Sequence, residues 1–62
     1  MKKICDTIKE IKPCYYLTEE GEVFNATTGK YLKMDDTTYR LSNTAGNARY
    51  YNVRTLYELV YN

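Results

Sequence analysis

Cys5 and Cys14 are the only thiols in this 62-residue sequence, and no histidine accompanies them. Two thiolates supply half of a tetrahedral zinc site, and their separation is not that of a zinc knuckle. Without imidazole the chain lacks the side chain best suited to proton transfer near neutral pH. Its acids Glu19, Glu20, Glu22, Asp35 and Asp36 cluster where turns are expected. Paired carboxylates acting as acid and base need a sheltered pocket, whereas solvated loop tips keep both ionised. Thr27-Thr28-Gly29-Lys30 faintly resembles the end of a phosphate loop, but the further glycines are missing and a strand, not a helix, is expected after the lysine. No enzyme, metal centre or cofactor is therefore expected.

What remains is binding chemistry. Eight of the residues are tyrosine, a flat apolar ring with a polar tip that suits sheets, interfaces and base stacking. Nine basic and eight acidic residues leave a formal charge of +1, so phosphate binding would need a local excess of Lys and Arg. One domain fits this length, and its core has little margin, which favours association with other chains. There is no charged-then-apolar leader and no apolar run near the ~20 residues of a membrane span. The expected setting is reduced and cytoplasmic, with no membrane partner and both cysteines as small apolar side chains or inert thiols.

The elements that position these side chains follow from the pattern. Residues 1–13 read as an N-terminal arm or short helix, with Ile4, Ile8 and Ile11 at helical spacing and Pro13 closing the segment. Residues 14–62 read as one small α+β domain. Strands are expected at Cys14–Thr18, Glu22–Asn25, Lys30–Met34, Thr38–Ser42 and Arg49–Asn52. Turns with glycine at positive φ separate the first three, at Gly21 and Gly29. Val53, Leu56, Tyr57 and Val60 then form a helical stripe, with Asn52 as N-cap. Leu59 is also assigned to the core. The expected fold is thus an antiparallel meander of four to five strands with one C-terminal helix packed on one face.

Alternation sorts the faces of that sheet. Leu32, Met34, Tyr39, Leu41, Tyr51 and Val53 are expected inward. Tyr31, Lys33, Arg40 and Tyr50 are then left on the uncovered face, joined by Lys30 and Arg49 near strand ends. A surface of rings and cations fits a phosphate backbone, nucleotide bases or a partner protein.

Tyr15-Tyr16-Leu17, Gly21-Glu22-Val23, Gly29-Lys30-Tyr31-Leu32-Lys33, Thr38-Tyr39-Arg40-Leu41 and Val53-Arg54-Thr55-Leu56 carry a resemblance. This stretch resembles the small NUMOD-type DNA-binding module found beside HNH nuclease domains in homing endonucleases, many of them from phages. The resemblance implies a non-catalytic, phage-encoded DNA-binding module, with Arg54 at the start of its helix among the contact residues. The family usually has Arg where Glu22 stands and His where Arg54 stands, and no HNH domain follows, so no nuclease activity is expected. The alternative is a homo-oligomeric phage accessory protein that sequesters a host defence protein or a small nucleotide signal.

Overall fold

The structure is a computed structural model that describes all 62 residues. Six strands are arranged in two sheets, followed by one helix. The first sheet has the order β1 (Lys2–Lys3), β2 (Tyr15–Leu17), β3 (Val23–Asn25), β4 (Lys30–Tyr31), all antiparallel. The second is a hairpin of β5 (Thr38–Ser42) and β6 (Ala48–Asn52). The helix α1 spans Val53–Tyr61 directly after β6.

The α+β class and the C-terminal helix are as the sequence implies. The antiparallel strands are divided between a sheet of four and a sheet of two, because the chain breaks its pairing between β4 and β5. Leu32 still donates its N–H to the Val23 carbonyl, but the ladder ends there. A tight turn then starts the second hairpin, closed by mutual hydrogen bonds between Asp35 and Thr38, with Asp36 in the left-handed region at φ 60°. Aspartate tolerates that geometry better than most residues.

The N-terminal segment is neither a free arm nor an α-helix. Lys2 and Lys3 pair with Leu17 and Tyr16, and a single 3-10 turn follows at Ile4–Asp6. One α-type bond, Ile8 N–H to the Ile4 carbonyl, is made, and the chain then loosens into turns. So short a helical segment cannot repay its own nucleation. The helical spacing nevertheless has its use, because Ile4 and Ile11 are fully buried and Ile8 packs against them. Residues 1–13 therefore share the core of residues 14–62.

That core is one cluster. Tyr15, Leu17 and Val23 come from the inner face of the first sheet, Tyr39 and Leu41 from the hairpin, Leu56 and Val60 from the helix, Ile4 and Ile11 from the N-terminal segment. Three tyrosine hydroxyls fasten these layers. Tyr39 donates to the Gly21 carbonyl, Tyr61 donates to the Leu17 carbonyl, and Tyr15 accepts from the Ser42 N–H. Burial pushes the phenols of Tyr39 and Tyr61 above their ordinary value, and the charge of Glu22 adds to the rise at Tyr39.

Two details of the expected packing are corrected. Met34 lies beyond β4 and is 44% exposed, because alternation no longer governs a residue outside a strand. Leu59 is 49% exposed and Tyr57 also faces solvent, while Tyr61 takes the inward place through its hydroxyl and its ring. The inward stripe runs through the half-buried Val53 and the buried Leu56 and Val60.

Candidate nucleic-acid interface

The β5–β6 register sets the first part of the site. Tyr39 faces Tyr51 and Leu41 faces Arg49, whereas Thr38 faces Asn52, Arg40 faces Tyr50 and Ser42 faces Ala48. Since Tyr39 and Leu41 are buried, the second set points away from the core. Arg40 and Tyr50 are therefore directly opposed cross-strand neighbours on the uncovered face, both exposed. Arg54 follows two residues after Asn52, at the start of the helix, and is exposed as well. Its N–H is held at 2.9 Å by the Asn52 side chain, which fixes the first turn.

Arg49 does not join Arg40 and Tyr50. Opposite Leu41, it belongs to the inward face, and it reaches solvent near the beginning of β6. The pleat phase of the hairpin is as expected. The strand-end residue is misplaced because its neighbours, not its own polarity, determine its side.

Lys30, Tyr31 and Lys33 form a second group on a different sheet. Lys30 pairs with Asn25 and Tyr31 with Phe24 on the outermost strand of the four. Tyr31 is 54% exposed, Lys30 and Lys33 are exposed, and the intervening Leu32 packs on the core. Adjacent residues of a strand point to opposite faces, so Lys30 and Tyr31 part company. The seven expected contact residues are all solvent-accessible, yet the division into two sheets prevents them from forming one continuous sheet face.

The register of the first sheet contains a group that the sequence reading did not select. Lys3 pairs with Tyr16, Tyr16 with Phe24, and Phe24 with Tyr31, one residue from each of the four strands in a single cross-strand row. Leu17 and Val23, their neighbours, are fully buried, so the row occupies the opposite, outer face. The Lys3 ammonium stands 5.9 Å from the Tyr16 ring centre, and the Phe24 and Tyr31 rings meet edge-on at 5.1 Å. Alternation within Tyr15–Leu17 and Val23–Asn25 was the available signal for Tyr16 and Phe24. Lys3 had none, because nothing in its own segment marks it as a strand.

One cleft of about 500 Å³ lies between the N-terminal strand and the end of the helix, lined by Met1, Lys2, Lys3, Asp6, Thr7 and Val60. It holds neither a pair of carboxylates nor a thiol. Cys5 and Cys14 are free and half-buried, and no three of the chain's Cys, Asp and Glu side chains gather in metal-binding geometry. No helix is long and apolar enough to cross a membrane. No protein-family model matches the chain, and no curated protein or solved structure is found to be similar to it.

Proposed function

We propose that this chain is a small, non-catalytic nucleic-acid-binding module that contacts DNA phosphates through Arg40 and Arg54, with Arg49, Lys30 and Lys33 as exposed charges apart from that face. The observation that carries the reading is the opposed pair Arg40–Tyr50 on the uncovered face of the hairpin. A guanidinium grips phosphate through several donors, and a ring beside it packs on sugar or base. The resemblance to NUMOD-type modules supports the same reading, as well as a phage origin and action in the host cytoplasm. With a net charge of +1 the interaction is weak at physiological salt and strong only at low ionic strength.

The test is retention of a mixed-sequence duplex across a series of salt concentrations. Affinity is expected to fall linearly on a log–log plot, and Arg40→Ala to reduce that slope by about 1 while weakening binding to all sequences alike. Binding that ignores both salt and Arg40 would remove the basis of the reading.

A second reading is favoured by a separate observation, the exposure of Tyr57 and Leu59 on the outer side of the helix. These apolar side chains suit a homo-oligomer that sequesters a host protein or a small nucleotide. A stable oligomer in sedimentation, blind to DNA, would select it.

A further inference from the structure

We infer that the outer face of the four-stranded sheet is a stacking surface for the unpaired bases of a single-stranded nucleic acid, with Tyr16, Phe24 and Tyr31 as the platform and Lys3 as its charged end. This rests on the nucleic-acid reading above and names the strand state that this face takes.

Three rings on three neighbouring strands cover roughly 10 Å at the usual ~4.8 Å strand spacing, room for two or three bases. Tyr31 is exposed, whereas Tyr16 and Phe24 are half-buried and present only part of each ring to solvent. The helix, the hairpin and the N-terminal isoleucines all pack on the other side, through Leu17 and Val23. A small sheet normally turns polar side chains to water on its free face, and here the full width of the row is aromatic apart from the lysine. The edge-on contact of Phe24 with Tyr31 stabilises the pair itself, but it leaves Tyr31 more than half exposed.

Charge and ring orientation then choose the ligand. Lys3 closes one end of the row, and Lys33 is exposed two residues beyond Tyr31, outside the strand. A cation at one end of an aromatic strip, with a second in the segment that leaves its outermost strand, matches a chain of bases with phosphates along its edge. The Phe24 and Tyr31 planes are inclined by 60°. Bases lying flat on both rings cannot remain parallel to each other, so the strand must splay them. A single strand can turn in this way between nucleotides; a duplex holds its bases stacked and paired, out of reach of a flat sheet.

The experiment measures binding of a labelled oligothymidylate and of a mixed-sequence duplex of equal length, at low salt, to the full chain and to Tyr31→Ala, Phe24→Leu and Arg40→Ala. Tyr31→Ala and Phe24→Leu are expected to weaken oligothymidylate binding about tenfold each and to leave duplex retention within about twofold. Ring protons of Tyr16, Phe24 and Tyr31 in the unaltered protein should shift upfield as the oligothymidylate is added, a readout that does not depend on any variant folding. Duplex binding that depends on Arg40, together with oligothymidylate binding indifferent to the row, overturns this inference and leaves the functional reading intact. Equal losses for both DNA forms also overturn it. If neither DNA is retained, both fall. A dimer that Tyr31→Ala converts to monomer, with no ring shifts on adding oligothymidylate, assigns the face to a second copy of the chain and likewise overturns the proposal.

Discussion

Tyr39 shows how one side chain serves two elements at once. Its ring fills the core from β5, and its hydroxyl donates at 3.2 Å to the Gly21 carbonyl in the turn between β2 and β3. That turn depends on Gly21 at φ 85°, where a side chain is rarely accommodated. Burial raises the Tyr39 phenol above the ordinary 10.0, and Glu22 raises it further. The folded-state value then exceeds the unfolded one, so the folded state favours the protonated phenol. Its stabilisation is complete below the unfolded value and is lost as pH rises through the folded one. Urea unfolding is therefore expected to show constant stability up to about pH 9 and a decline above about pH 10. Tyr39→Phe should cost about 1 kcal/mol at neutral pH and flatten the alkaline decline. An unchanged decline in that variant would assign it to other groups. The abundance of tyrosine has the same two-sided explanation: Tyr15, Tyr39 and Tyr61 fasten the layers through their hydroxyls, while Tyr31 and Tyr50 are left to solvent.

Among the elements, the junction of β6 with α1 is the most tightly specified. Asn52 ends the hairpin opposite Thr38, caps the helix by accepting from the Arg54 N–H, and donates to the Thr37 hydroxyl at 3.2 Å. One residue therefore fixes the angle at which the helix leaves the sheet, and with it the position of Arg54 relative to Arg40. Asn52→Ala is expected to lower the urea midpoint by the equivalent of about 1 kcal/mol without changing the slope of the transition. Asn52→Asp keeps the capping oxygen and should retain most of that stability. If the two variants were equally destabilised, the contact with Thr37, not the cap, would be the dominant restraint. Asn25 and Asn43 act similarly in the loops, each accepting two backbone N–H groups from the turn that follows it. These caps and turns are local, and for that reason the strand from Thr38 to Ser42 and the start of the helix at Val53 are legible in the sequence.

For the molecule as a whole, the question is how many parts the small core needs. Nine residues are clustered in it, and Ile4 and Ile11 are two of them. The N-terminal segment is tied on at three places: β1 against β2, Lys12 N–H to the Ser42 carbonyl, and Thr44 N–H to the Glu10 carbonyl. A domain gains only about 0.05–0.15 kcal/mol of stability per residue. Removal of one buried isoleucine costs about 2–5 kcal/mol, so loss of two is as large as the whole margin of a chain this short. A chain reduced to residues 14–62 is expected to show the collapsed amide dispersion of an unfolded protein in NMR. A well-dispersed spectrum would mean that residues 1–13 are dispensable to the fold. The same segment contributes Lys3 to the outer row, so the part that completes the core also completes the candidate stacking surface.

The sequence by itself determined what depends on near neighbours. Glycine at Gly21 and Gly29 announced the turns, alternation placed Tyr39 and Leu41 inward and Arg40 and Tyr50 outward, and Asn52 marked the helix start. Backbone sterics and the two-residue pleat act within a few positions and need no partner to be read. Only the tertiary structure decided which strands pair. It separated Tyr31 and Lys33 from Arg40 and Tyr50, drew Lys2 and Lys3 into a sheet, and aligned Lys3, Tyr16, Phe24 and Tyr31. Pairing is settled by the burial gained across the whole core against the entropy of closing each loop, and no short window of residues contains that balance.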